Sequence, residues 1–314
     1  MAIKRRSSTR ISTPADGGGS SNDKQQQQQQ QPQQLRSTNK KQKRSSSNNS
    51  TIKKSHWSRP GVEAAARLVS LPISSSDCNN NHFNSWNTAL SHYESMIQAK
   101  GNTQLYKLDQ LRNLIAQQWK NDSQIKECSS SSSSSSSMTK DQLLNVIIPW
   151  KFGKGKPRNA LKKLLQSNTE EDVIKASMLA FHHADNCANN DNSDFDHDTQ
   201  QNVQNAIQSL CQLNGVGPAT ASAVLSAYCP QSFAFMDDEV IECLYEAKRG
   251  YTLKIYMMVN DRCVGIAKEL NEANSDCSSG GGEVWTPADV GKALWTVATM
   301  SARKDEVSLC KVFG

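Results

Sequence analysis

The spacing of apolar residues along the chain predicts a protein built from helices. Between about Thr103 and Trp119, leucine or isoleucine stands at positions 105, 108, 111, 114 and 115, which places these side chains on one helix face. A preceding helix is predicted from about residue 84 to Lys100, with Gly101 as its end. No segment alternates apolar and polar residues between hairpin turns, so we expect an all-α fold.

Capping signals mark the ends of several further helices. The sequence "TKDQ", which begins at Thr139, has the spacing of a capping box and precedes an apolar run that Pro149 is expected to end. Pro157 is expected to open the next helix. The sequence "TPADV" puts Thr286 at a cap position and Pro287 at the first helical position. The folded part is therefore predicted as a series of helices with short connections.

Two polar stretches divide the chain. Residues 1–59 contain "KQQQQQQQPQQ" and "KRSSSNNS" and offer almost nothing apolar to bury, so a disordered tail is predicted there. Serine fills positions 129–137, and a disordered insertion is predicted at about 126–138. The remaining residues, within 60–314, are predicted to form one helical domain.

The positive charge of the chain is concentrated in the tail. Residues 1–59 hold 13 Lys and Arg against 2 Asp and Glu, whereas the remainder holds 23 against 28. The part predicted to fold is thus mildly acidic, and any DNA contact there must come from a local patch. The best candidate is "WKFGKGKPRNALKK" (150–163), where Lys154, Lys156 and Arg158 are candidates for phosphate contact. The alternative is a solvated loop followed by one exposed helix face.

Cysteine and histidine patterns give no sign of a metal site or a disulfide framework. The nine cysteines include no CxxC pair, so free thiols in a reducing compartment are expected. His182, His183 and His197 stand near the acids of "NNDNSDFDHD", but their spacing matches no metal site. No apolar run is long enough for a membrane span, so no membrane partner is expected.

The N-terminal segment is compatible with two compartments. It lacks the apolar core of a secretory signal. The clusters "KRR" (4–6) and "KKQKR" (40–44) suit a nuclear address, and nuclear localisation is the first prediction. The opening "MAIKRRSSTRISTPA" is rich in Arg and Ser and poor in acids, so an organellar transit peptide for a mitochondrion or plastid is the alternative.

The stretch "LNGVGPATASAVL" (213–225) predicts two helices joined by a turn of glycine and proline. Gly215 and Gly217 permit positive φ and leave the turn without side chains, so a nucleic-acid backbone can approach closely. Main-chain amides of Gly215, Val216, Gly217, Ala219 and Thr220 would then bind a phosphate at the start of the second helix. Val216 is also expected to anchor the turn in the core. A plain helical hairpin, in which the glycines only allow a tight reversal, is the alternative.

This stretch resembles the helix-hairpin-helix of the HhH-GPD superfamily of DNA glycosylases, which is named for the hairpin, a Gly/Pro-rich loop and a following aspartate. Family members place the catalytic aspartate a little over twenty residues after the first hairpin glycine. Here Asp237 and Asp238 follow Gly215 by 22 and 23 residues. The predicted helices elsewhere in the chain are compatible with the family fold.

The resemblance implies hydrolysis of the N-glycosidic bond of a damaged base, in which a carboxylate stabilises an oxocarbenium-like transition state. Asp237 has the spacing of the endonuclease-III-like members. Asp238 fits the alkyl-purine branch, in which the second Asp of a pair is catalytic. Ala219 stands where bifunctional members carry a nucleophilic lysine, so no lyase step is expected by that route, and we favour Asp238.

Further expectations follow from the same resemblance. A flipped base needs an aromatic pocket and a wedge, for which Phe233, Phe235 and Trp150 are candidates by position. No four closely spaced cysteines follow the aspartates, so no iron–sulfur cluster is expected. The one cofactor considered is a monovalent cation on the hairpin carbonyls. Glu239 beside both aspartates departs from the family pattern, and an Asp of "MDDEV" can also act simply as a helix cap.

The predicted function is a monofunctional DNA glycosylase-like protein of base excision repair, a hydrolase for damaged bases that include alkylated purines. It is expected to contact DNA mainly through the backbone and to act as a monomer. The alternative is a non-catalytic helix-hairpin-helix module that binds DNA or another protein. The net acidity of the folded part and the Asp-Asp-Glu cluster motivate that alternative.

Overall fold

Helices and short connections make up the part of the chain that the computed structural model describes, which is residues 61–73, 81–127, 136–188, 197–245, 250–275 and 284–314. No strand occurs in these ranges, so the all-α prediction is confirmed for them. None of the helices in these ranges is both long and apolar enough to cross a membrane. The predicted tail lies outside the described residues. In chain order the helices are α1 (Val62–Ser70), α2 (Asn81–Ser91), α3 (Tyr93–Glu127), α4 (Lys140–Gln142), α5 (Ile148–Lys154), α6 (Asn159–Gln166), α7 (Glu170–Ala188), α8 (His197–Leu210), α9 (Pro218–Tyr228), α10 (Asp238–Leu244), α11 (Leu253–Ser275), α12 (Pro287–Ala302) and α13 (Glu306–Phe313).

Two helices, α9 and α12, form the centre of the fold. Nearly every residue of both is buried, and a helix that is apolar on all sides must be enclosed by others. Helix α12 packs against α1, α2, α3, α10, α11 and α13, and α9 packs against α3, α5, α7, α8 and α11. The cap predicted at Thr286 is confirmed, because its hydroxyl accepts from the Asp289 amide at 3.2 Å and Pro287 is the first residue of α12.

The segment from Thr139 to Lys154 continues past Pro149, where a helix end was predicted. The capping box is confirmed, since the Thr139 hydroxyl accepts from the Gln142 amide at 3.1 Å and the Gln142 side chain accepts from the Thr139 amide at 2.9 Å. Between α4 and α5 a π-helical turn spans Leu143–Ile147. This turn shifts the hydrogen-bonding register just before Pro149, so the missing amide hydrogen falls where the ladder is already interrupted.

Helix α3 runs through Gly101, where a helix end was also predicted. The preceding helix ends earlier, at Ser91, and α3 begins at Tyr93. Buried side chains on both sides of the glycine, Ile97 and Leu105, pack into the core. A glycine inside a helix costs only about 1 kcal/mol relative to alanine, which burial of two large side chains exceeds.

The disordered insertion predicted at 126–138 includes residues that are packed. Met138 is fully buried, and its amide donates to the Ser177 hydroxyl at 2.8 Å. Ser136 is buried as well. The prediction of disorder was therefore wrong for these two residues, whereas residues 128–135 lie outside the described ranges.

Candidate nucleic-acid interface and carboxylate site

The predicted hairpin lies between α8 and α9. Helix α8 ends at Leu210, and α9 begins with Pro218, where a missing amide hydrogen costs no hydrogen bond. Gly215 has φ +78°, the left-handed conformation that glycine adopts without strain. The Val216 side chain is buried and its amide donates to the Leu213 carbonyl at 3.1 Å, so Val216 anchors the turn as predicted.

The two hairpin glycines differ in whether the fold has room for a side chain. A Cβ on Gly215 would lie 3.1 Å from Leu164 Cβ and 3.2 Å from two atoms of Leu165, so this glycine lets the turn rest against α6. Gly217 has extended backbone, with φ −116° and ψ −179°, and a Cβ there would meet no atom of a described residue within 4 Å. The fold therefore requires glycine at 215 and does not require it at 217. The absent side chain of Gly217 leaves room for an outside group to approach the main chain.

Three main-chain amides at the turn are left for an outside acceptor. The amides of Gly215, Gly217 and Ala219 donate to no other described residue. The amides of Val216 and Thr220 are engaged within the hairpin, the latter with the Gly217 carbonyl at 2.8 Å. Of the five amides predicted to bind a phosphate, two are thus engaged within the hairpin and three have no partner among the described residues. At the N-terminus of an 11-residue helix, such amides and the helix dipole favour an anion.

Asn168 fastens the hairpin to the loop that follows α6. Its buried side chain donates to the Asn214 carbonyl at 3.0 Å and accepts from the Asn214 amide at 2.8 Å. The same side-chain amide donates to the Leu165 carbonyl at 2.9 Å. The hairpin and α6 therefore form one continuous surface. Sequence reasoning missed Asn168, because its partner lies 46 positions away along the chain.

Exposed cations precede α6 and continue along it, beside the hairpin. Lys156, Arg158, Lys162 and Lys163 are all exposed. The whole segment 143–169 contains no Asp or Glu. Lys156 and Arg158 thus have the exposure that the predicted phosphate contacts require. We call this exposed segment together with the hairpin the basic surface.

Lys154, the remaining predicted phosphate contact, is buried instead. Its side chain is 3% exposed, and its Nζ lies 3.0 Å from Oδ2 of Asp237. Burial lowers the pKa of the ammonium, against the opposing effect of the Asp237 carboxylate. The predicted phosphate contact is corrected to an internal ion pair. The sequence held one signal, because Lys154 stands four residues after the buried Trp150 and so shares its helix face.

Four aromatic rings surround the Lys154 ammonium. Its Nζ lies 4.3 Å from the ring centroid of Trp295, 5.3 Å from those of Trp150 and Phe235, and 5.4 Å from that of Tyr93. All four distances are within the ~6 Å range over which a ring face attracts a cation. We call these four rings and the Asp237 carboxylate the aromatic box. Its occupant is the protein's own lysine.

Asp237 is the buried acid of the box and the N-cap of α10. Its Oδ1 accepts from the Asp238 amide at 2.9 Å, while Oδ2 is the atom next to Lys154. Burial alone would raise the pKa of this carboxyl, but the positive charge of Lys154 leads the effects that outweigh burial, and the pKa is lowered. The carboxylate is therefore ionised at neutral pH. The helix-cap interpretation applies to Asp237.

The loop that carries the two aspartates is held from two sides. Ser222, on the second helix of the hairpin, accepts from the Met236 amide at 3.0 Å. Asn260 of α11 accepts from the Ala234 amide at 2.8 Å and donates to the Ser232 carbonyl at 2.9 Å. Because Ser222 belongs to α9, the same helix that begins beside the three amides also positions the carboxylates.

Asp238, the first residue of α10, is half-buried and belongs to a different polar cluster. Its Oδ1 accepts from the Tyr251 hydroxyl at 2.6 Å. The Arg158 guanidinium lies 4.8 Å from the centroid of the Tyr251 ring. Lys151 is close as well: burial and Arg158 lower its pKa, whereas Asp238 raises it. Asp238 is thereby connected to the basic surface through Tyr251, which no motif in the sequence signalled.

The three adjacent acids of "MDDE" have separate partners. Glu239 lies 3.5 Å from the ammonium of Lys100, which in turn lies 5.0 Å from the Trp295 ring centroid. The two aspartates have the partners described above. The ammonium groups of Lys154 and Lys100 thus face Asp237 and Glu239, whereas the partner of Asp238 is the neutral Tyr251 hydroxyl.

Little space is left inside the aromatic box. A cavity of about 20 Å³ lies between the box and the buried residues Ala288 and Gly291 of α12. This volume holds about one water molecule, so a base cannot enter while Lys154 is in place. Trp150 and Phe235, two of the three aromatic residues considered as pocket candidates, line the cavity. Phe233, the third candidate, is fully buried in the core and does not line it.

The hairpin carbonyls offer oxygen atoms to the expected monovalent cation. The carbonyls of Gly215 and Val216 accept from no described residue, and main-chain carbonyls are suitable ligands for such ions. Among the described residues, no group of His, Cys, Asp or Glu could hold a metal ion. Most of the polar stretch "NNDNSDFDHD" lies outside the described residues.

Comparison with known proteins adds no assignment. The chain matches no family model, no curated protein and no solved structure. The resemblance to the HhH-GPD superfamily therefore rests on residues 213–238. The all-helical architecture is the part of that fold prediction that the structure supports.

Proposed function

We propose that the chain is a monofunctional DNA glycosylase-like protein that binds duplex DNA through its hairpin and hydrolyses the N-glycosidic bond of a damaged base. The observation that carries the proposal is the open space at Gly217, where the fold does not require a glycine. This space lies at the start of α9, next to amides that donate to no described residue. A nucleic-acid phosphate fits such a site, because it brings negative charge and several acceptor oxygens.

The proposed contact with DNA is a backbone contact. One phosphate would accept from the amides of Gly215, Gly217 and Ala219, and neighbouring phosphates would meet the exposed cations of the segment 156–163. A monovalent cation on the Gly215 and Val216 carbonyls would add positive charge at the same turn. None of these groups reads a base, so the basic surface positions the protein without selecting a sequence.

Asp238 is the carboxylate proposed to act on the sugar. It is half-buried, and Tyr251 holds one of its oxygens at 2.6 Å. A carboxylate beside C1′ stabilises the positive charge that develops as the base departs, and it orients the attacking water. Asp237 would hold the loop, because its two oxygens already face the Asp238 amide and Lys154.

We expect base release without strand cleavage. Ala219 is buried and apolar, so it offers no amine at the position where bifunctional relatives carry a lysine. Without an amine no Schiff base with the sugar forms by that route. The product would be an abasic site in an intact strand, bound by a monomeric protein in the nucleus, or in an organelle as the alternative compartment.

A non-catalytic DNA-binding module is the second candidate. The aromatic box favours it, since Lys154 fills the space beside Asp237 and leaves about 20 Å³. A protein whose pocket never binds a base would still bind DNA through the basic surface, but it would not hydrolyse the N-glycosidic bond. Both candidates therefore predict binding to DNA that weakens with salt.

Base release from duplexes that each carry one lesion distinguishes the two candidates. With the full chain we expect release from at least one lesion, and Asp238→Asn should slow it by about a hundredfold or more while DNA binding is retained. Asp141→Asn is the matched control, because Asp141 is an exposed carboxylate outside the site, and it should keep the wild-type rate.

The other outcomes assign the function differently. Release by Asp238→Asn at the wild-type rate would contradict the role of Asp238. Salt-dependent binding without release from any lesion would support the non-catalytic module. If the chain binds no duplex DNA at low salt, both candidates are wrong.

A further inference from the structure

We propose that the aromatic box is a binding site for a planar organic cation, and that Lys154 is a resident occupant that this ligand displaces. The box already holds a positive charge among four ring faces, with the ammonium 4.3 Å from Trp295 and 3.0 Å from Asp237. Ring faces and a carboxylate together are the chemistry that selects organic cations. The inference goes beyond the proposed function, because Asp238, the proposed catalyst, does not line this cavity.

The walls of the box are fixed in place independently of Lys154. Buried Asp109 accepts from the Tyr93 hydroxyl at 3.0 Å and from the Trp150 indole at 2.7 Å through the same oxygen, which orients two of the rings. The Arg112 guanidinium lies 4.1 Å from the Trp150 ring centroid and donates to the Ala223 carbonyl of α9. Tyr93 and Trp150, two of the four rings, would therefore keep their arrangement if the lysine left.

One wall of the box keeps space that the fold does not use. Gly291 is buried inside α12 and lines the cavity, and a Cβ there would meet no atom of a described residue within 4 Å. A glycine within a helix is less favourable than alanine, so neither packing nor helix stability explains it. Gly291 extends the space beside Lys154, as expected if a larger group enters.

Lys154 is placed where it can leave without unfolding the core. It is the last residue of α5 and is followed by Gly155 and then by the exposed Lys156.

The displacing ligand must carry positive charge. Asp237 is buried and ionised, and a buried carboxylate that loses its cation is strongly destabilised. The two other cations beside the cavity have their own partners. Arg112 donates to Ser226 at 2.7 Å, and Lys292 lies 2.9 Å from Asp289, so neither is available to replace Lys154. A neutral planar molecule would leave Asp237 with only the charge of Lys100, which is already paired with Glu239.

Binding of two isosteric probes to Lys154→Ala tests the inference. The probes are 1-methylpyridinium, which is a planar cation, and toluene, which is neutral. We expect saturable quenching of tryptophan fluorescence and a higher thermal midpoint with 1-methylpyridinium, and an affinity for toluene that is at least about tenfold weaker. Gly291→Ala in the same background should weaken binding of the cation. Wild type should bind 1-methylpyridinium more weakly than Lys154→Ala, because the ligand must displace Lys154, and it should not bind toluene; wild type that binds no cation at all would overturn the displacement.

Controls separate the alternatives. Lys175→Ala, which removes an exposed lysine of α7, should bind both probes as wild type does. Lys154→Ala/Asp237→Asn should lose the preference for the cation. Equal or better binding of toluene by Lys154→Ala would overturn the inference, since the box would then be only an apolar cavity.

If Lys154→Ala does not fold in the absence of a ligand, the same two probes still test the inference. Restoration of cooperative unfolding by 1-methylpyridinium and not by toluene supports the inference, and restoration by neither overturns it. A folded Lys154→Ala that binds no probe overturns it as well. None of these outcomes depends on base release. A failure of the proposed glycosylase activity can therefore be distinguished from a failure of this inference.

Discussion

The hairpin and the aromatic box illustrate two kinds of site within one small protein. The hairpin is a main-chain site made by consecutive residues, and its amides and glycines lie within 215–219. The box is a side-chain site, and its members come from α3, α5, the loop before α10, and α12. Neighbouring lysines make the contrast plain: Lys156 is exposed beside the hairpin, whereas Lys154 is enclosed by rings. A local pattern therefore identifies the first kind of site, and only packing reveals the second.

The largest expected effect is loss of one member of the buried ion pair. Lys154→Met leaves the Asp237 carboxylate buried without its cation, and we expect the free energy of unfolding to fall by about 3–5 kcal/mol. Chemical denaturation followed by circular dichroism measures this change. The double variant Lys154→Met/Asp237→Asn should recover much of the loss, because no unpaired charge then remains buried.

Lys156→Met is the matched control for this variant. Lys156 is exposed, so the free energy of unfolding should change by less than about 0.5 kcal/mol. Similar losses in Lys154→Met and Lys156→Met would contradict the description of the box as a buried ion-pair site.

The next effect compares the two glycines of the hairpin. Gly215→Ala forces a side chain into positive φ and against α6, so we expect a loss of about 1–3 kcal/mol in the free energy of unfolding. Gly217→Ala should change it by less than about 0.5 kcal/mol, since its backbone is extended and a Cβ meets no described atom within 4 Å. Equal destabilisation by both substitutions, measured by thermal unfolding, would show that the two positions are not distinct.

Acid should weaken the box through Asp237. Because the pKa of Asp237 is lowered in the folded state, its contribution to stability is fully present above the ordinary pKa of Asp, about 3.9, and is lost as pH falls through the lower folded-state value. In Asp237→Asn the free energy of unfolding should therefore fall less steeply below about pH 4, by up to ~1.4 kcal/mol per pH unit. Urea unfolding across this range measures the slope. Asp141→Asn should keep the wild-type slope, and a parallel curve for Asp237→Asn would refute the linkage.

The smallest effect has the opposite sign. Gly291→Ala should raise the free energy of unfolding by about 0.5–1 kcal/mol, because alanine favours the helix and its Cβ enters open space. Gly153→Ala is the comparison, since a Cβ there would lie 2.8 Å from Leu105 Cδ1, so the Leu105 side chain must shift and the gain in stability should be smaller. Destabilisation by Gly291→Ala in thermal unfolding would mean that the cavity wall is already filled.

Much of the helical framework could be predicted from local signals. The capping box at Thr139 and the cap at Thr286 are correct, because a cap depends only on residues within one helical turn. The helix ends predicted at Gly101 and Pro149 were wrong for the converse reason. Burial of distant side chains holds α3 together at Gly101, and a π-helical turn accommodates Pro149.

The same distinction between local signals and long-range packing applies to the candidate site. Gly215, Val216 and Gly217 could be identified from their spacing, although the fold itself requires a glycine only at 215. The partner of each acid in "MDDE" could not be predicted from the sequence. The three partners, Lys100, Lys154 and Tyr251, come from three different parts of the chain. The charge of a side chain is visible in the sequence, whereas its burial is decided by packing.

The affinity of the full chain for duplex DNA, compared between wild type and Gly217→Ala by fluorescence anisotropy, tests the central claim most directly. The basic tail is identical in both proteins, so a difference reports the hairpin. We predict that wild-type binding weakens strongly between about 50 and 200 mM salt. We also predict that Gly217→Ala binds at least about tenfold more weakly at low salt, with an unchanged thermal midpoint, because its Cβ occupies the place of the phosphate. Equal affinity of the two folded proteins would contradict the claim that the hairpin binds DNA at Gly217.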